Sequence, residues 1–387
     1  MINSKHFFLP LALFVLFLSI SPSSAHNKSH NSSHSRKSYE GCFSKVYAFG
    51  DSYTDTGNCV LLGGLKSFVG SIFSHFGSVT NFKKSTNRQC DGRLVIDFLC
   101  ETLSLPNLPP YKDTSSDFSH GANFAISGST SLSMDFFIGN KLGHNLMWKG
   151  MPQSLLTQID WFTKFQQQSS YKIEMEKALF WIGEMGLNDY ARIDGSSIST
   201  QWLTQLTVAH VCKLMKTLLD SGGKYIVVQG LPPVGCLPLA LSSTPSYDRD
   251  EMGCSASANL VTKIHNELLQ AKLAEFRMQY SHCTIIYADY WSAYKTILMN
   301  PKKYQIEEPF KACCGCGCGE HNFNVHSLCG SPGTFACKDP SKYISWDGVH
   351  LTEAMHRHLA NLFFHQESCQ PSFDQLIRSK KGDQSSD

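Results

Sequence analysis

Short apolar runs that alternate with amphipathic stretches predict an α/β protein, a three-layer α/β/α fold around a central, mainly parallel five-stranded sheet. The runs Val46–Phe49, Asn123–Ile126, Ala178–Ile182, Tyr225–Val228 and Thr284–Tyr287 have the length and unbroken apolar character of strands covered on both faces. Helical patterns separate the later runs, which supplies the crossovers that parallel pairing needs. No internal repeat divides the chain, so the elements read as one domain.

Taken in order, the first run passes at Phe49 into Gly50-Asp51-Ser52. The second is opened by Gly121-Ala122-Asn123 and closed by Gly128, and the third is followed by Gly183-Glu184-Met185-Gly186-Leu187-Asn188-Asp189-Tyr190. Val208, Val211, Met215 and Leu218 form a helical stripe that stops near Gly222-Gly223; Leu260, Ile264 and Leu268 form another, and both read as core. A last helix is expected from Thr352 to Phe364. The segments Leu61–Asn87, Gly128–Met151 and Pro301–Lys342 lack sustained periodicity and read as long loops. Ligands of open parallel sheets bind beyond the C-terminal ends of the strands, so the residues that follow each run are the candidates for chemistry.

The 387 residues include 34 basic and 32 acidic side chains, a balance that gives no reason to expect nucleic acid as a partner. Residues 1–25 read as a secretory signal: Lys5, an apolar stretch from Phe7 to Ile20, then Ser21-Pro22-Ser23-Ser24-Ala25. That stretch falls short of the roughly 20 residues a spanning helix needs, so no stable membrane anchor is expected and the protein should be extracellular. Residues 26–41 are rich in His and Ser and read as a flexible lead-in, with glycosylation sequons at Asn27 and Asn31. The folded domain is expected over 42–370, followed by a polar C-terminal tail over 371–387, in a protein expected to be a monomer.

Fifteen cysteines lie beyond the signal, and in a secreted chain most should pair. The densest group, Cys313-Cys314-Gly315-Cys316-Gly317-Cys318 with His321, His326, Cys329 and Cys337, invites comparison with a zinc site. Adjacent and alternating cysteines lack the Cys-x-x-Cys spacing of closed tetrahedral sites, so disulfides are expected there, with no metal and no cofactor.

Ser52, at the end of a strand, is a weak nucleophile unless a base takes its proton and a further group orients that base. Ser345-Trp346-Asp347-Gly348-Val349-His350-Leu351 offers both. Two residues separate Asp347 from His350, so one turn can bring the carboxylate to one imidazole nitrogen and leave the other facing a serine. Two competing readings remain open: a glycosidase using two of Asp51, Asp189 and Asp347, which would leave Ser52 without a role, and a binding protein without catalysis.

The blocks Phe49-Gly50-Asp51-Ser52-Tyr53-Thr54-Asp55-Thr56-Gly57-Asn58, Gly121-Ala122-Asn123-Phe124-Ala125, Gly186-Leu187-Asn188-Asp189 and Trp346-Asp347-Gly348-Val349-His350-Leu351-Thr352-Glu353-Ala354 together resemble the GDSL esterase/lipase family of SGNH hydrolases, particularly its secreted plant branch. The resemblance implies the flavodoxin-like SGNH-hydrolase fold and a small-molecule or lipid ester as substrate. It implies Ser52 as nucleophile, His350 as base and acid, and Asp347 as orienter. It also implies an oxyanion site made of the Ser52 and Gly121 backbone N–H groups and the Asn188 amide. An acyltransferase using the same acyl-enzyme stays open. Two departures from the pattern stand out: Tyr53 stands where the family has leucine, and Cys316 and Cys318 are additional. The apolar segments Met134–Ile138, Met147-Trp148 and Trp161-Phe162 are candidates for an acyl groove or for ordinary packing.

Overall fold

Strands β1 (Val46–Phe49), β2 (Gly121–Asn123), β3 (Leu179–Ile182), β4 (Tyr225–Gln229) and β5 (Thr284–Ala288) pair in parallel in the order β2-β1-β3-β4-β5 in a computed structural model that describes residues 39–62, 87–142, 153–168 and 173–385. The signal segment, both sequons and Met147-Trp148 lie outside the described residues. Four of the five parallel strands coincide with apolar runs of the sequence; the second, expected over Asn123–Ile126, lies instead at Gly121–Asn123 and shares only Asn123 with its run. The expected five strands gain a sixth, since a two-residue edge strand at Cys369–Gln370 pairs antiparallel with β5.

Side chains alternate across this sheet and feed two cores. Val46, Ala48, Leu179, Trp181, Val227 and Ile286 pack on one face, against helices α2 (Val95–Thr102), α9 (Tyr290–Leu298), α10 (Glu353–His365) and α11 (Phe373–Gln384). Tyr47, Phe49, Phe180, Ile182, Val228 and Ile285 pack on the other, against α4 (Leu155–Gln168), α6 (Thr200–Asp220) and α8 (Ala256–Gln279). Burial of both faces by period-two alternation explains why all four residues of β1 and of β3 are apolar. The shorter helices α1 (Asn58–Leu61), α3 (Met134–Gly139), α5 (Leu187–Ile193) and α7 (Pro238–Ser243) lie in connections.

Three expectations about the periphery are corrected. Two of the three residues of the α8 stripe that looked like core are turned outward, Leu260 57% and Ile264 42% exposed, and only Leu268 packs, half-buried, against the core. The buried face there is largely polar: Asn259 accepts from the Gly235 N–H, and Asn266 both accepts from the Leu231 N–H and donates to its carbonyl, which satisfies the backbone that leaves β4. The C-terminal tail forms α11, because Phe373, Leu376, Ile377 and Lys380 share a buried face despite the polar average. At the other end Tyr39, expected in the lead-in, belongs to the fold, since it is buried and its hydroxyl is bonded to the Phe364 carbonyl and to Asp374.

The segment Pro301–Lys342 is built rather than loose. Strands β6 (Glu308–Ala312) and β9 (Tyr343–Ser345) pair in parallel, β7 (Cys314–Gly315) and β8 (Phe335–Ala336) pair antiparallel, and disulfides Cys313–Cys337, Cys314–Cys329 and Cys316–Cys318 close it. The fourth disulfide joins Cys236 to Cys254. Cys42, Cys100, Cys212, Cys283 and Cys369, each on a different segment, remain thiols, more than the odd count alone required.

Candidate active site

β1 lies beside β3 at the point where the strand order reverses, and the turns that follow these two strands form the floor of the site. The first is pinned by buried polar side chains. Gln158 on α4 accepts from the Gly50 N–H at 3.0 Å and donates to the Gly50 carbonyl at 2.8 Å. Asp55 accepts from the N–H groups of Gly57, Asn58, Cys59 and Ser127, and Asn58 donates to the carbonyls of Asn123 and Ala125. Asn123 closes the set by donating to the Thr54 carbonyl. These bonds tie the segment after β1 to the segment after β2, which is what the Asp, Gly and Asn positions of the first two sequence blocks do structurally.

Ser52 projects from this turn, 5% exposed. Its Oγ lies 2.9 Å from Nε2 of His350, and Nδ1 of His350 lies 2.7 Å from Oδ2 of Asp347. The other carboxylate oxygen of Asp347 accepts from the Val349 and His350 N–H groups at 2.9 and 2.7 Å. Burial by itself raises the Asp347 pKa, but the adjacent His350 and these two N–H donors outweigh it and hold the carboxyl below its ordinary value. Asp347 is therefore ionised at neutral pH, as an orienter of imidazole must be.

The turn that carries Asp347 and His350 follows β9 and is held from behind. The N–H groups of Cys313 and Cys314 donate to the carbonyls of Ser345 and Trp346, and the Trp346 N–H donates to the His350 carbonyl. Gly348 has φ +96, and a Cβ there would strike the Phe323 ring at 2.1 Å, so glycine alone fits. From the front, the hydroxyl of Tyr53 donates to the Val349 carbonyl at 2.7 Å. The departure from leucine thus adds a direct link between the serine turn and the histidine turn.

Of the oxyanion groups, the structure brings Asn188 to the site and not Gly121. Asn188 Nδ2 donates to Asp51 Oδ2 at 2.7 Å and to the Ser129 carbonyl at 2.9 Å. Gly121 pairs with Val46 at the start of β2, the end of the sheet remote from Ser52, and its N–H donates to the Phe118 carbonyl. It is glycine because a Cβ would lie 1.8 Å from the Val46 carbonyl oxygen. Strand β2 begins at Gly121 rather than after it, so the segment beyond its C-terminal end is Ile126–Ser129. There the Ile126 N–H donates to the Gly50 carbonyl, and buried Gly128 adopts φ +76. Gly128, which closes the second apolar run, lies between Ile126, bonded to Gly50, and Ser129, bonded to Asn188, whereas Gly121, which opens the run's segment, lies at the other end of β2.

Asp51 and Asp189 do not flank a cleft as a glycosidase pair would. Asp51 is bonded to Asn188 and to the Tyr53 N–H, and Asp189 accepts from the Ser131 N–H, the Ser131 hydroxyl and the Leu132 N–H. Trp161 and Phe162 are buried in the core and serve packing, and Phe137 likewise is buried. Gln158 escaped sequence reasoning because a single glutamine on an amphipathic helix carries no pattern.

The family described as GDSL-like lipase/acylhydrolase matches residues 46–363. The chain belongs to that family. A GDSL esterase/lipase of Arabidopsis thaliana is 44% identical over 349 residues, 87% of this chain and 90% of the relative. A second from Arabidopsis thaliana is 37% identical, over 82% of this chain and 89% of the relative. Acetylajmalan esterase 2 of Rauvolfia serpentina is 34% identical, over 82% of this chain and 88% of the relative. The GDSL assignment makes the protein an ester hydrolase of a plant type. No helix among the described residues is long and apolar enough to cross a membrane.

Proposed function

We propose that the protein is a secreted serine esterase that cleaves carboxylic esters through an acyl-enzyme on Ser52. The observation that carries this reading is the continuous relay from Ser52 Oγ to His350 Nε2 at 2.9 Å and from His350 Nδ1 to Asp347 at 2.7 Å. In the first step Nε2 takes the serine proton while Oγ attacks the ester carbonyl, and the imidazolium then gives that proton to the departing alcohol. A water deprotonated by the same nitrogen releases the acid and regenerates the serine. Asp347 stays ionised throughout and stabilises the imidazolium.

The tetrahedral intermediate needs donors on its oxyanion. Our reading assigns the Ser52 N–H, the Gly128 N–H and the Asn188 amide, which replaces Gly121 with Gly128. The oxyanion would compete with the Ser129 carbonyl for one Asn188 hydrogen, while the other stays on Asp51. Each such donor contributes about 3 kcal/mol in the transition state. Secretion rests on the signal-like segment 1–25 and on the four disulfides.

One relative is named as an esterase of an acetylated compound, so a short-chain chromogenic acetate is the first substrate to try. The wild-type protein should hydrolyse it, and Ser52→Ala should not while it keeps its circular dichroism spectrum. Turnover retained by that variant would sink the serine mechanism. Ester products formed on adding an alcohol would point instead to acyl transfer.

A further inference from the structure

A buried acid with no part in the relay lies under the serine turn. Glu184 follows β3, is completely inaccessible to solvent, and neither carboxyl oxygen receives a hydrogen bond of normal geometry. The charged group that acts on it most strongly is the carboxyl of Asp51, the residue that precedes Ser52. Two buried carboxylates side by side repel each other, and a buried charge without a partner is costly, so one of the pair is protonated.

The surroundings decide which one. Asp51 Oδ1 accepts from the Tyr53 N–H at 3.0 Å, and Asp51 Oδ2 accepts from the Asn188 amide at 2.7 Å. Hydrogen bonds received favour the ionised form, so Asp51 is the anion. For Glu184, burial raises the pKa most, followed by the charge of Asp51, with Asp189 adding to both; the Leu187 N–H is the smallest influence and the only one that lowers it. The phenols of Tyr53 and Tyr290 also face it, and both are themselves held neutral, first of all by burial. Asp51, under the opposing charges of His350 and Asp55, is pushed up by burial only to about 6.

We propose that Glu184 is a neutral carboxylic acid whose proton is donated to Asp51, and that this bond fixes the Asp51 carboxylate as the anchor of the Asn188 amide. Glu184 is then a positioning residue for the oxyanion donor, an inference that rests on the esterase reading above. The line runs from the turn after β3, through Asp51 on the turn after β1, to Asn188 on α5. Loss of the Glu184 proton at alkaline pH would leave two buried anions in contact and release that anchor.

Glu184→Gln supplies a permanent neutral donor of the same shape, whereas Glu184→Leu supplies none. Measured on the full-length protein with a short chromogenic ester, the Gln variant should keep kcat within about threefold of wild type at neutral pH. Its kcat should also hold at alkaline pH values where that of wild type falls. The Leu variant should lose about tenfold or more in kcat with little change in KM, as expected for a misplaced transition-state donor. Superimposable alkaline limbs in wild type and Glu184→Gln, or full activity in Glu184→Leu, would overturn the proposal.

A measurement on the wild-type protein removes any dependence on the variants folding. With glutamate carboxyls labelled with ¹³C, infrared spectroscopy at mildly alkaline pH should show one protonated glutamate; a spectrum with every glutamate ionised would also overturn the proposal. Failure of the esterase reading itself would appear separately, as turnover by Ser52→Ala.

Discussion

Ser52 stands at the end of a buried parallel strand, whereas Asp347 and His350 stand on a turn outside the main sheet that disulfides brace from behind. The serine half is positioned by noncovalent means: both faces of β1 are covered, and Gln158, Asp55, Asn58 and Asn123 absorb the polar backbone of its turn. The histidine half depends on the stapled segment whose Cys313 and Cys314 N–H groups hold Ser345 and Trp346. The two meet through the Ser52–His350 contact and the Tyr53–Val349 hydrogen bond. One half should therefore fail only when the fold fails, while the other can be loosened with the sheet intact.

The largest effect should come from breaking the contact itself. His350→Ala should lower kcat by about 10⁴-fold or more with the fold unchanged, since a serine without its base is nearly inert; steady-state kinetics beside circular dichroism would check it. Next comes the serine side of the pocket. Asn188→Ala should reduce kcat by about 10²–10³-fold with a small change in KM.

The brace should behave differently. Replacing Cys314 and Cys329 together by alanine opens a loop closed over a separation of 15 residues, worth about 3 kcal/mol in the chain-entropy account. Activity should decline while the far-ultraviolet signal of the central sheet persists, and equal loss of both would erase the distinction between the halves. Tyr53→Phe, which removes only the latch, should cost about 1 kcal/mol and a few-fold in kcat. Thermal unfolding with parallel kinetics would separate these two figures.

The test expected to touch kcat least concerns stability against pH. Burial pushes Asp189 up to about 6. A carboxyl whose pKa is raised on folding stabilises the native state fully below its unfolded value, and that contribution is lost as pH rises through the folded one. Tm should accordingly drift downward between about pH 4 and pH 6, and Asp189→Asn should flatten the drift.

Much of this arrangement was legible in the residues. Four of the five parallel strands could be read in place because strands covered on both sides are largely apolar, whereas β2, with the sequence Gly-Ala-Asn, was expected too far along the chain, over Asn123–Ile126. Ser52, Asp347 and His350 could be read as candidates because their residues combine chemistry with spacing, and Asn188 because its block resembles the family's. What escaped was contextual. Gly121 and Gly128 bracket one apolar run, and only the strand boundary tells which lies near the serine turn. The exposure of Leu260 and Ile264 follows from a neighbouring loop whose backbone needs Asn259 and Asn266 on the buried face. A two-residue antiparallel edge carries no periodicity at all. Glu184 reads as an ordinary charged residue until the fold encloses it.

The most direct test of the two-halves account is covalent labelling of the full-length protein with a fluorophosphonate, followed by peptide mapping. The account predicts one adduct per chain, on Ser52, forming quickly in the wild type and far more slowly in His350→Ala. An adduct on another residue, or none in a protein that still turns over ester, would contradict it.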